Sequence, residues 1–166
     1  KSTGEVMGID YTFNAALAKA LLAAGLMLSP QGAILISVAD RDKPEAMPII
    51  KKLAAIGYKL YATEGTAAMI EASGLPVKVI PKKLSEGHPN VVDVISEGTV
   101  NGVLNTITGG RVSLRDGFHI RRAATEKRIP CFTSMDTAKA AVEALVNGSQ
   151  IYGVQPLSDY RNKELS

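Results

Sequence analysis

The run Ala33-Ile34-Leu35-Ile36-Ser37-Val38 carries no charge and no polar alternation. So short and so uniformly apolar a segment must be covered on both faces. That is the pattern of a central strand in a parallel sheet, not of a strand with one wet face. A parallel neighbour requires a crossover, and the chain supplies crossovers throughout. A helix is expected from Asp42 to about Ile56, with Pro48 removing one ladder hydrogen bond and bending or shortening it. Tyr58–Tyr61 reads as a second strand and Gly65–Ser73 as a short helix stopped by Gly74. Val77–Ile80, Gly102–Asn105 and Ile129–Phe132 read as further strands. Helices are expected near Val91–Glu97 and Phe118–Lys127, and a last one has Ala138, Ala141, Val142 and Leu145 on one face and Gly148 at its end. Ahead of all this, Thr12 is placed to cap a helix reaching Ala24. Phe13, Ala16, Leu17, Ala20, Leu21 and Ala24 would form its apolar face, and Gly25 its stop. The expected fold class is α/β: three layers, with a five-stranded parallel sheet flanked by helices.

Composition narrows the function. Nineteen Lys and Arg against sixteen Asp and Glu leave a net charge of +3, enough for a small anion but short of a nucleic-acid footprint. Three Phe, five Tyr and no Trp argue against a platform for stacking single-stranded bases. Cys131 is the only cysteine, which rules out an internal disulfide or a multi-cysteine zinc site; no metal site is expected, and a reducing cytoplasm is the natural location. No apolar stretch is long enough to span a bilayer, so no membrane partner is expected. The first residues, Lys1–Gly8, lack the apolar centre of a signal peptide and a start methionine, the marks of a fragment of a longer protein.

In an open parallel sheet, ligands bind beyond the carboxyl ends of the strands, so the loops there are the candidates. Ala62-Thr63-Glu64-Gly65-Thr66 leads from a strand into a helix. Its free amides and dipole favour an anion, Gly65 permits close approach, and Thr63 and Thr66 add hydroxyls, although Thr66 also suits a plain N-cap. Lys43 opens the helix after the first strand, where a cation opposes the dipole; the alternative is an exposed lysine balanced by Asp40 and Asp42. Lys82 and Lys83 follow the third strand and could reach a phosphate, or stand solvated; His88 beside Pro89 reads as a loop residue. Asn105, Thr106 and Thr108 close the fourth strand with groups able to read a base or ribose, and Gly109-Gly110 allows close approach or simply a turn. Of Arg121 and Arg122, one should face this edge and the other solvent.

These loops, in this order, resemble a known family. Gly4-Glu5-Val6-Met7-Gly8-Ile9 followed by Thr12-Phe13-x-x-Ala16 resembles the end of the second synthetase half of carbamoyl phosphate synthase. Ser37-Val38 with Asp42-Lys43, Ala62-Thr63-x-Gly65-Thr66-Ala67, Lys83 before Glu86-Gly87-x-Pro89, Asn105-Thr106 and Ile120-Arg121-Arg122 continue the match over nearly the whole chain. The resemblance implies the C-terminal allosteric domain of that enzyme's large subunit, with a methylglyoxal-synthase-like, Rossmann-like fold. It divides the chain into a lead segment, 1–11, the domain proper, 12–155, and a tail, 156–166, without clear periodicity.

The resemblance also implies that a regulatory nucleotide such as UMP or IMP binds here. Lys43, Thr63, Gly65, Thr66 and Lys83 would hold its phosphate, while Ser37, Asn105, Thr106 and Thr108 would lie around its base and ribose. No catalytic residue and no cofactor belong to the domain; the whole enzyme, a ligase, would use ATP with magnesium or manganese. Its partners would be the rest of the large subunit and the glutaminase small subunit, with homo-oligomer contacts a further expectation. Ile107 stands where a hydroxyl is expected. Cys131-Phe132-Thr133 replaces the family's ornithine-sensing Tyr-Asp-Thr, so ornithine activation is not expected. The rival reading is a methylglyoxal synthase acting on a triose phosphate. Against it, Arg111 follows Gly109-Gly110 where that enzyme needs a carboxylate, and an arginine cannot serve as the general base.

Overall fold

The computed structural model describes residues 6–82, 87–107, 111–147 and 153–162; for residues 111–116 and 162 it describes the backbone alone. Five strands, β1 (Ala33–Ser37), β2 (Lys59–Ala62), β3 (Lys78–Val79), β4 (Gly102–Asn105) and β5 (Cys131–Phe132), form one sheet in the order β3-β2-β1-β4-β5, every pair parallel. The helices are α1 (Phe13–Ala23), α2 (Lys43–Ala55), α3 (Glu64–Ala72), α4 (Val91–Ser96), α5 (Arg111–Lys127), α6 (Met135–Asn147) and α7 (Leu157–Asn162).

β1 is buried at all five positions, as its unbroken apolar run requires. Its period-two alternation divides the core. Ile34 and Ile36 join Leu60, Ala62, Leu104 and Phe132 under α2, α3 and α6, while Leu35 joins Val103 under α4 and α5, through Val94, Ile95, Ile120 and Ala124. The three layers follow directly. At the sheet margin β3 is short and Val79 is 44% exposed, so only its neighbour Ile80 reaches the core.

The termini of the elements have local causes. Thr12 caps α1, its hydroxyl accepting from Ala15 N at 3.2 Å. Gly25, Gly57 and Gly74 each take positive φ just after α1, α2 and α3, where a side chain would be strained. Asn90 caps α4 in a reciprocal box with Asp93, for which the Asn-x-x-Asp spacing is the sequence signal.

Several expectations need correction. Pro48 lies inside α2 without shortening it: the helix runs unbroken from Lys43 to Ala55, although Pro48 has no N–H to bond the Pro44 carbonyl. The buried positions of α1 are Ala15, Ala18 and Leu21, and Phe13 is 79% exposed. α1 packs against α6, and Phe13 lines a groove between them with Leu17 and Ala140. β2 ends at Ala62, one residue beyond Tyr61, and β5 is limited to Cys131–Phe132. α5 begins at Arg111, well before Phe118. The tail, read as aperiodic, contains α7.

Candidate functional site

Strand order reverses at β1: β2 pairs on one side and β4 on the other. The crevice at such a switch point opens between the carboxyl ends of the two strands whose connections diverge. Here those ends are Ser37 and Asn105, paired in register, with Thr106 N donating to Ser37 O at 3.1 Å. Both side chains are almost fully buried.

Thr63, expected among the phosphate donors, is the N-cap of α3, but its side chain makes no capping bond. Its hydroxyl donates to Ser37 Oγ at 3.2 Å instead. The Glu64 and Gly65 amides therefore open the helix with no hydrogen-bond partner among the described residues. Thr66 is not the cap. It lies a turn in, is 1% exposed, and its Oγ1 accepts from Val38 N at 3.1 Å. Thr106 does the same for the other side, its Oγ1 accepting from Ala39 N at 3.0 Å. The two threonines thus brace the loop after β1 from both flanks, each keeping a hydroxyl proton to donate.

Lys43 stands over the start of α3, with Nζ 3.7 Å from the point a β-carbon on Gly65 would occupy. Its ammonium is paired with Asp40 at 2.7 Å, and this pairing lowers the Asp40 carboxyl below its ordinary pKa. Of the two carboxylates weighed as the balance of Lys43, Asp40 alone pairs with it, while Asp42 pairs with Arg41 at 3.4 Å. Asp40 is 92% exposed, so the pair can exchange for another anion at little cost. Lys83, Thr108 and the Gly109-Gly110 pair lie outside the described residues, and Lys82 sits in a half-buried bend after β3.

Asn105 is the outlier. Both polar atoms of its amide are buried and lack a hydrogen-bond partner among the described residues. An amide so placed costs on the order of 1–3 kcal/mol unless something pairs with it. Beside it, α5 presents Gly117 and Arg121. A β-carbon on Gly117 would lie 3.4 Å from Asn105 Nδ2, 3.0 Å from Arg121 Nη1 and 2.9 Å from Ile107 Cγ2. Arg121 is half-buried and faces this edge, with no carboxylate partner among the described residues; Arg122 faces solvent and pairs with Glu126 at 2.8 Å. Arg121 and Gly117 join the site through helical phase, which becomes readable once α5 is known to begin at Arg111. Across the mouth, Arg41 Nη2 reaches Ile107 O at 3.4 Å, linking the loops after β1 and β4.

The described residues contain no cluster of three or more His, Cys, Asp or Glu able to hold a metal ion, and no helix long and apolar enough to cross a membrane. Cys131 lies on β5 with its thiol pKa pushed up to about 11, chiefly by burial, with the Arg121 charge opposing.

A parallel sheet with polar groups gathered at the switch-point edge, beside a helix start with open amides, defines an open α/β module with a polar crevice. A family model for the MGS-like domain matches residues 45–133, and the chain belongs to that family. It is 51% identical, over 99% of its length, to the carbamoyl phosphate synthase large chain of Thermomicrobium roseum, of which it spans 15%. It is 52% identical over 87% of its length to the C-terminal section of the carbamoyl phosphate synthase large chain of Methanopyrus kandleri, of which it spans 27%. The chain thus corresponds to a minor part of these relatives. Among solved structures, methylglyoxal synthase from Elizabethkingia anophelis superposes with a TM-score of 0.53, covering 84% of this chain and 95% of the other at 14% identity, which supports the fold and nothing finer.

Proposed function

We propose that this chain is a regulatory module of a carbamoyl phosphate synthase large subunit, and that it binds a phosphorylated nucleotide of the UMP or IMP type at the β1–β4 edge. The observation that carries the reading is the juxtaposition of three uncommitted polar features at that edge. They are the open amides of α3 beneath Lys43, the amide of Asn105, unpartnered among the described residues, and the cation of Arg121. A phosphate suits the first, since helix amides and a lysine are both donors. The Asn105 amide, with one donor and one acceptor side, suits the edge of a base or a ribose, and Arg121 suits any acceptor next to it.

Catalysis is not part of the proposal. The Asp40 and Asp42 carboxylates at this edge are each in an ion pair, with Lys43 and Arg41, so neither stands poised as a base for a triose phosphate. The ligase chemistry, with its ATP and divalent metal, the glutaminase partner and the cytoplasmic setting belong to the larger enzyme. The effector acts by linkage: it shifts the enzyme between states by the difference in its affinity for them, typically about 1–3 kcal/mol.

Thermal unfolding with UMP, IMP, phosphoribosyl pyrophosphate, ornithine and inorganic phosphate tests this. A ligand at 100 times its Kd stabilises by about 2.7 kcal/mol, which raises Tm by roughly 5–11 °C for a domain of this size. A selective shift with one nucleotide, lost in Lys43→Met, is the expected result. A flat series both on this chain and on the complete large subunit would refute the nucleotide-sensor reading.

A further inference from the structure

Away from the residues of the β1–β4 edge, the segment preceding α1 and the segment carrying α7 meet on one lysine. Lys19 projects from α1 and is mostly buried. Its three ammonium protons have three acceptors: Asp10 Oδ2 at 2.8 Å, Ile9 O at 2.9 Å and Tyr160 OH at 2.7 Å. Two belong to the leading segment and one to α7, so the donor set is fully used. Tyr160 OH passes its own proton to Gly153 O at 3.4 Å. A second set of contacts runs in parallel. The Tyr11 and Tyr160 rings lie 5.0 Å apart, Gln155 Nε2 donates to Tyr11 OH at 2.7 Å, and Tyr11 OH donates to Asp159 O at 3.1 Å.

What is missing from this contact is apolar burial. No described residue between Gly153 and Arg161 is buried; Val154 is 93% exposed and Leu157 61%. A six-residue helix is far below the length that is stable alone in water. Among the described residues, α7 therefore holds its place through Tyr160, the Asp159 carbonyl and, just ahead of the helix, Gln155, and all three attach to a cluster that the leading segment completes. The leading segment in turn lies flat on α1. A β-carbon on Gly8 would come within 1.8 Å of Ala16 O, so only glycine fits there.

We infer that Lys19, Tyr11 and Tyr160 form a releasable latch, which docks the leading segment and the tail helix onto α1 as one cooperative unit. Displacement of residues 7–11 removes two of the three Lys19 acceptors and the ring that Tyr160 packs on, and so frees α7. Departure of α7 conversely leaves an ammonium proton of Lys19 unpaired and loosens residues 7–11. The fold thereby contains a device in which the state of the polypeptide leading into the module is reported at its tail. It is independent of the nucleotide reading.

Hydrogen exchange on the full-length chain tests the coupling. Tyr160→Phe deletes one acceptor in α7 and alters nothing in residues 7–11. It is expected to speed exchange in 157–162 and, together with it, in 7–11, each roughly tenfold, as for the loss of one hydrogen bond to a charged group. Lys19→Met should release both segments to a greater extent while amides of β1 and β4 keep their protection. Faster exchange of 157–162 in Tyr160→Phe, with 7–11 unchanged, would overturn the latch, because the segments would then dock separately. Unchanged exchange in both segments of Lys19→Met would overturn it equally.

Discussion

Thr66 is the residue whose structural and ligand-facing roles can be separated most cleanly. Its hydroxyl is fully buried and accepts from Val38 N at 3.1 Å, so it supports the loop after β1 before any ligand arrives. Thr66→Val keeps the volume and the β-branch but leaves Val38 N–H facing a methyl group. Val38 is itself buried, so water does not readily replace the lost acceptor. A buried donor left unsatisfied costs about 1–3 kcal/mol. For a chain of this size each kcal/mol shifts Tm by about 2–4 °C, so the midpoint should fall by roughly 2–12 °C with no effector present. The assay is thermal or urea unfolding followed by circular dichroism at 222 nm, with Thr63→Val as the comparison. Thr63 loses only a bond to a rotatable hydroxyl, Ser37 Oγ at 3.2 Å, and should lose clearly less stability. If Thr66→Val unfolds within 0.5 kcal/mol of the parent, a threshold of the order expected for an inconsequential surface change, Thr66 is not a strut. Its place at the edge would then be explained by ligand binding alone. The expected result is a loss in both stability and effector response, so a weakened response in Thr66 variants is by itself no proof of direct contact.

Other outcomes follow from the same geometry. Gly65→Ala adds a β-carbon at ordinary packing distance from Lys43 Nζ, and alanine favours the helix by up to about 1 kcal/mol. It should leave Tm equal or higher while abolishing the nucleotide-induced shift, as measured by the thermal series. Asn90→Ala removes both capping bonds to the Val92 and Asp93 amides and should cost about 1 kcal/mol in urea unfolding. The Asp93 carboxyl is held below its ordinary pKa of 3.8, first by the Asn90 N–H and then by His88. A lowered folded-state pKa means that this stabilisation is complete above the ordinary value and is lost as pH falls through the folded one. Asp93→Asn should therefore flatten the acid limb of the stability profile below about pH 4. The Cys131 thiol, raised to about 11, should resist Ellman's reagent at pH 8 in the native state and react fully in guanidinium.

Much of this molecule was readable along the chain. A buried parallel strand announces itself because both faces need apolar cover, so Ala33–Ser37 had few other possible environments. The site edge was legible for a related reason: topology places ligands beyond strand ends, and the loop residues there can be counted off once the strands are known. Other features are set by distant contacts. Phe13 fits the helical apolar stripe, yet the fold buries Ala15, Ala18 and Leu21 of α1 and leaves it exposed. Thr66 and Thr63 look interchangeable in sequence, but the sheet gives one a buried amide to satisfy and the other a neighbouring serine. Arg121 differs from Arg122 by one residue, and only the packing of α5 on β4 turns the first toward Asn105. The aperiodic tail forms α7 because Lys19, 141 residues away, supplies the partner that its own side chains lack. Local pattern determines what must be buried, since burial depends on composition and period. Which polar groups then meet depends on pairings between segments far apart in the chain, and only the closed tertiary structure decides those.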